Sequence, residues 1–289
     1  MRALWTIGVD LGGTKLEVGI VDSSGHVIDH RLIKTKVKEG PKAVIKDIVN
    51  AINELRQKHS EGIIGAIGVG IAGQIDKKNG TVNFAPNLNW HDVPLQNELQ
   101  DSLNLPVFVI NDVRAAAWGE WLFGAGKGSD DILCLFVGTG IGGGIVSGGR
   151  MLTGCSNSAG EIGHMTIDKN GPKCTCGNIG CFEALAGGWA IARRTREAVA
   201  NNIKSSKSLL SLSEGKIEEL TPKHLFQAAL QQDPLACSIV DSVSKDLIAG
   251  NVGLVNAFNP ERLILGGGII NGRPEFIEEI RKGVASRAL

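Results

Sequence analysis

Leu4-Trp-Thr-Ile-Gly-Val-Asp10-Leu-Gly12-Gly13-Thr14-Lys15-Leu-Glu-Val-Gly-Ile-Val-Asp22 reads as a strand, a glycine turn and a strand. Leu4 to Asp10 is apolar enough to be a buried strand. Leu16 to Asp22 alternates like its antiparallel partner, and Ser23-Ser24-Gly25 signals the next turn. The pattern recurs downstream. Ile132 to Val137 is a strand that runs into Gly138-Thr139-Gly140-Ile-Gly142-Gly-Gly144, and Ile145 to Ser147 begins its hairpin return. A glycine hairpin occurring twice is a weak internal duplication. It predicts two similar α/β lobes, each offering a glycine turn.

Outward from the first hairpin, Val27 to Lys34 predicts a third strand. Val44, Ile45, Ile48, Val49, Ile52 and Leu55 share one face of a helix from Pro41 to about His59. Ile63 to Ile71 is a strand leading to Ala72-Gly73-Gln74. Val93 to Leu103 is helix-like. Val107 to Ile110 is a short strand entering Asn111-Asp112, and Val113 to Phe123 a helix. Beyond the second hairpin, Glu183 to about Asn201 is predicted helical, and the serine- and lysine-bearing Lys204 to Glu214 a surface loop. Thr221-Pro222 and Asp233-Pro234 each open a helix, the second reaching Phe258. Arg262 to Leu265 is a last strand ending in Gly266-Gly267-Gly268, and Pro274 to Ala285 a last helix.

At 289 residues the chain has room for two domains. Thirty basic residues balance thirty acidic ones. That argues against nucleic acid, an anionic membrane surface or a strongly acidic partner. No apolar run approaches the ~20 residues that span a bilayer, and the N-terminus lacks a signal-peptide layout. A cytoplasmic location is expected, with the six cysteines as thiols or metal ligands rather than disulfides. Cys134, Cys155 and Cys237 read as structural.

Cys174, Cys176 and Cys181 follow Glu161-Ile-Gly-His164 closely, and Glu183 closes the stretch. Histidine with three cysteines is a closed structural set for tetrahedral zinc. A Cys-x-Cys pair is too close for an easy mutual disulfide. Gly171, Gly177 and Gly180 let the loop fold back around an ion.

Polyphosphate needs backbone N–H donors at close range, which glycine turns supply. Gly12-Gly13-Thr14-Lys15 adds a hydroxyl and a cation, and Gly138-Thr139-Gly140 a hydroxyl alone. Neither matches the Walker pattern or G-x-G-x-x-G between strand and helix, so each is weak singly. Two of them, with the run at Gly266 to Gly268, predict nucleotide binding. Asp112 has two readings: a helix cap, which is commoner, or a general base taking a proton from a hydroxyl nucleophile. Asp10 is either a turn residue or a carboxylate facing magnesium through water.

Together, Asp10-Leu-Gly-Gly-Thr-Lys15, Asn111-Asp112, Gly138-Thr-Gly-Ile-Gly-Gly-Gly144, Ala159-Gly-Glu-Ile-Gly-His164 and Cys174-x-Cys-Gly-x-x-Gly-Cys-x-Glu183 resemble the ROK family of sugar kinases and repressors. Within it the likeness is to bacterial ATP-dependent glucokinases, and it runs through the whole chain. It implies the actin-like ATPase fold, with two ribonuclease H-like α/β domains around a cleft. The domains expected are 1–112 and 113–289, with a further strand and helix beyond Leu289 missing. It implies phosphorylation of a hexose, foremost glucose, at the 6-hydroxyl, with Asp112 as base. Kinases for N-acetylglucosamine, N-acetylmannosamine, mannose or fructose are the alternatives. Gly73, Asn87, Asn111, Asp112, Glu161, His164 and Glu183 would bind the sugar. Asp10, Gly12, Gly13, Thr14, Lys15, Gly138, Thr139, Gly140 and Gly142 would hold ATP phosphates and magnesium, with Gly266, Gly267 and Gly268 near the adenosine. Structural zinc would take His164, Cys174, Cys176 and Cys181. A homodimer is expected, with a tetramer as the alternative. A sugar-sensing repressor is disfavoured, because the first strand starts at Leu4 and no basic surplus marks a DNA-binding module.

Overall fold

In β1 (Leu4–Leu11) Ile7, Val9 and Leu11 are buried, and in β2 (Lys15–Val21) Leu16, Val18 and Ile20 are. This period of two puts both apolar rows on one face of an antiparallel hairpin. The computed structural model describes residues 3–202 and 206–289. The hairpin continues into β3 (Val27–Lys34) on one side and pairs parallel with β4 (Ile63–Ile71) on the other. β4 in turn pairs parallel with β8 (Val107–Asn111), giving the order β3-β2-β1-β4-β8. α1 (Pro41–Lys58) covers this sheet with Val44, Ile45, Ile48, Ala51, Ile52 and Leu55. α2 (Leu95–Leu103) adds Leu95, Leu99 and Leu103 to the same core. α3 (Asp112–Leu122) starts directly from the end of β8.

Three short strands between β4 and α2 go beyond the sequence expectation. β5 (Gln74–Ile75), β6 (Val82–Ala85) and β7 (Trp90–Val93) form an antiparallel meander. Val93 therefore ends a strand, and the helix begins at Leu95. The meander adds Ile75, Val82, Ala85, Leu88 and Trp90 to the core.

In the second sheet, β9 (Ile132–Val137) pairs antiparallel with β10 (Ile141–Ser147) and parallel with β12 (Arg262–Gly266). With β11 (Arg150–Met151) at the edge, the order is β11-β10-β9-β12. So each sheet has a strand that carries a glycine hairpin on one edge and a parallel partner on the other. Helices follow as α4 (Phe182–Ala186), α5 (Gly188–Asn201), α6 (Lys207–Leu212), α7 (Pro222–Leu230), α8 (Pro234–Phe258) and α9 (Pro274–Ala285). Thr221 and Asp233 cap α7 and α8, their side chains accepting from the N–H groups of His224 and Ala236.

Two sequence expectations change here. The helix predicted from Glu183 is two helices broken at Gly187, because the N–H groups of Gly188 and Trp189 turn to the carbonyls of Gly138 and Thr139. The loop predicted from Lys204 to Glu214 contains α6; Leu209 is fully buried and anchors it. Lys204 and Ser205 lie outside the described residues.

Contacts divide the chain into residues 1–128 with 151–160, and 129–150 with 161–289. This differs from a boundary at 112, since α3 and the following turn belong with the first sheet. Among the described residues, no helix is long and apolar enough to cross a membrane.

Candidate active site and metal centre

In the first unit, β1, β4 and β8 run parallel, with Asp10 opposite Gly70 and Ile71 opposite Asn111. The Gly12-Gly13 turn, Gly73 and Asp112 all follow the carboxyl ends of these strands. In open α/β sheets that edge is where ligands bind.

The first turn has a specific hydrogen-bond pattern. Lys15 O accepts from Gly12 N–H, Thr14 O accepts from Thr35 N–H, and Gly12 O accepts from the Thr35 hydroxyl. Among the described residues, the N–H groups of Gly13 and Thr14 remain uncommitted. Gly13 also lies against the next loop: a Cβ there would stand 2.6 Å from Asn87 O. Gly73 is constrained alike, since a Cβ on it would stand 2.6 Å from Phe84 O.

Asn111 is the N-cap of α3, its Oδ1 accepting from Arg114 N–H at 3.1 Å. Of the two neighbours, then, Asn111 is the cap and Asp112 is the helix's first residue. Asp112 Oδ1 accepts from Val113 N–H at 2.9 Å. Desolvation raises the Asp112 carboxyl above its ordinary range, and the nearby charge of Asp10 raises it further. Asp10 is also raised, by desolvation, with Lys15 partly offsetting this. Burial and the like charge of Asp10 thus keep the Asp112 carboxyl protonated to higher pH than an exposed aspartate.

In the second unit a similar pattern recurs. Gly138 and Thr139 give their carbonyls to the N–H groups of Gly188 and Trp189, at 3.0 and 2.9 Å. Gly138 N–H donates to Gly140 O, and Ile141 N–H to Glu183 Oε2 at 2.9 Å. Among the described residues, Thr139 and Gly140 keep free N–H donors. Gly142 lies in β10 opposite Phe136 rather than in the turn. Gly267 has φ +94°, and Ile269 N–H donates to Val137 O at 3.0 Å. The third glycine run thus sits beside the end of β9, where the second turn begins.

The loop from Glu161 to Glu183 packs on this sheet. His164 N–H donates to Glu161 O, so both residues share one tight 3₁₀ turn. The Glu161 side chain is exposed. A ring nitrogen of His164 and the sulfurs of Cys174, Cys176 and Cys181 all lie within 4.8 Å of one another. Cys176 and Cys181 sulfurs are 3.7 Å apart, as are Cys174 Sγ and His164 Nδ1. A tetrahedron with bonds of about 2.3 Å has edges of roughly 3.8 Å, so the set fits zinc. Without a cation, burial pushes the Cys181 thiol up to about 12. Gly177 and Gly180 have φ of +95° and +68°, a conformation that favours glycine, whereas Gly171 does not have a positive φ. His164 turns Nδ1 to the Cys174 sulfur.

A family model described as the ROK family matches residues 6–289. The chain belongs to the ROK family. It is 42% identical over 270 residues to a glucokinase of Thermotoga maritima, covering 93% of this chain and 83% of that one. A ROK glucokinase of Streptomyces griseus, solved with glucose and AMPPNP, superposes with a TM-score of 0.82 at 35% identity. That match covers 99% of this chain and 90% of the other. A xylose repressor of Bacillus subtilis is 32% identical over 288 residues, 99% of this chain and 70% of its own. As a ROK protein the chain has the actin-like ATPase fold expected from its sequence. Thr35, Arg114 and Trp189, which tie the turns and helices of the site, carried no signal in the sequence.

Proposed function

We propose that the chain transfers the γ-phosphoryl group of ATP to the 6-hydroxyl of a hexose, foremost glucose. One observation carries this: both glycine turns have their carbonyls bonded inward and two N–H groups left over. Such turns are preorganised for anionic oxygens, since binding demands little rearrangement. The similarity to glucokinases supports the sugar.

Asp112 would take the 6-hydroxyl proton as the oxygen attacks phosphorus, and the γ-phosphate would leave ADP. Its raised pKa suits that task, because a more basic carboxylate accepts a proton more readily. By the family resemblance, Asn111, Asn87, the Gly73 turn, Glu161, His164 Nε2 and Glu183 would orient the sugar hydroxyls. Magnesium would accompany the phosphates, with Asp10 as its nearest carboxylate through water. Zinc would fix the ring of His164, so that one nitrogen serves the ion while the other meets the sugar.

The test is ADP release across hexoses and N-acetylhexosamines, with ATP and polyphosphate as donors. Glucose with ATP is expected to give the highest kcat/KM. A protein that binds sugars but releases no ADP with any of them would sink the reading.

A further inference from the structure

Arg114 is the third residue of α3, two after Asp112, and it is buried. Its guanidinium holds one residue with two bonds. Nη1 donates to Asn157 Oδ1 at 2.7 Å, and Nη2 donates to Asn157 O. Asn157 in turn donates from Nδ2 to Ile75 O at 2.9 Å, in the meander strand that follows Gly73. Lys77 adds a second tie, Nζ donating to the Thr153 hydroxyl at 3.2 Å, and Ala159 N–H closes the segment on Thr153 O at 3.1 Å. All of these groups lie in the first unit, and the segment ends at Gly160, directly before Glu161. One planar cation thus ties together the start of α3, the meander and the segment that delivers Glu161. Each of the three carries a hydroxyl-binding residue in the reading above: Asn111 with Asp112, Gly73, and Glu161. The Glu161 side chain is exposed, so its aim comes from the backbone that carries it.

We propose that Arg114 is a positioning residue for the sugar: through Asn157 it sets the backbone from which Glu161 reaches a hexose hydroxyl. The assignment rests on the sugar-binding reading of Glu161 given above. The residue types suit the task. A guanidinium presents its donors in a rigid fork, which fixes direction as well as distance. Both acceptors belong to Asn157, whose φ is +60°, and asparagine tolerates that left-handed backbone better than most residues with a side chain. Because Arg114 is buried, leaving its donors unmade is costly, and the segment is held to one place.

The experiment is a double-mutant cycle read by calorimetry with glucose: wild type, Arg114→Met, Glu161→Ala and the pair. Methionine keeps much of the stem and removes every donor. A misplaced binding group predicts a rise of about tenfold in glucose Kd for Arg114→Met. The Kd of a non-hydrolysable ATP analogue with magnesium should stay within about twofold. In the Glu161→Ala background the same change should add less than about twofold, because the group it positions is already gone. Arg114→Lys, which keeps the charge without the fork, should fall between wild type and Arg114→Met. Asn157→Gly preserves the left-handed turn and removes both side-chain bonds, so it decides the matter if Arg114→Met fails to fold. It should raise glucose Kd about threefold, and only where Glu161 is present. Additive effects across the cycle, parallel rises in glucose and nucleotide Kd, or an unchanged glucose Kd would each overturn the proposal. Should wild type phosphorylate no hexose, the kinase reading fails, while the binding cycle, which needs no turnover, still judges Arg114.

Discussion

Asp112 links the chemistry of the site to its stability. Desolvation is the first cause of its raised pKa and the charge of Asp10 a lesser one. Activity should therefore fall as pH drops through a value above the ordinary carboxylate range, giving an acid limb to log kcat/KM. Asp112→Asn should lower turnover by about 10²–10⁴-fold while sugar binding survives; activity within threefold of wild type would remove the residue from its role. The stability sign runs the other way. Between the ordinary and the raised pKa, the native state keeps a proton that the unfolded chain has released. Stability thus falls as pH rises through that window, and the deficit persists above it. Asp112→Asn should accordingly melt above wild type at pH 7 and lose that advantage in acid, by calorimetry across pH. At this scale the gathering of His164 with Cys174, Cys176 and Cys181 was legible, because ligand chemistry survives in bare spacing. The engagement of Glu183 was not: its partners, Ile141 and Trp189, are distant or chemically mute in sequence.

Among elements, those with long apolar periods were legible, as β4 and α9 were to the residue. The meander β5–β7 was not, since strands of two to four residues carry too few positions to show a period. Nor was the break between α4 and α5, whose cause is a hydrogen bond to a turn fifty residues earlier. Packing of one turn on another invites a direct test at Gly13. An alanine Cβ would press on Asn87 O, so Gly13→Ala should cost about 1–3 kcal/mol and raise KM for ATP. Unchanged urea unfolding and unchanged KM would refute the contact. The cysteine loop offers a second test. One zinc per chain is expected by elemental analysis of protein purified without added metal, and Cys176→Ser should lower both Tm and metal content. A fully active, metal-free preparation would contradict the zinc assignment.

For the molecule as a whole, the duplication of the glycine hairpin was legible, but the parallel strand beside each copy and the path of the chain between units were not. Residues 151–160 follow directly from the second sheet yet belong with the first unit. They are secured by Asn157, at φ +60°, whose Oδ1 accepts from buried Arg114 at 2.7 Å and whose Nδ2 donates to Ile75 O at 2.9 Å. Asn157→Ala removes both bonds and places a Cβ-only residue in a left-handed conformation. A loss of about 2–3 kcal/mol in denaturant unfolding is expected; a loss below about 0.5 kcal/mol would show the crossing segment to be passive.

That crossing segment has a consequence during synthesis. The ribosome delivers β1 through α3 first, yet the guanidinium of Arg114 waits for Asn157, more than forty residues later. At roughly 5–20 residues per second, the nascent first unit spends seconds with that side chain lacking its Asn157 contacts. Emergence of the decapeptide is then the event that completes it, after part of the second sheet has already left the exit tunnel.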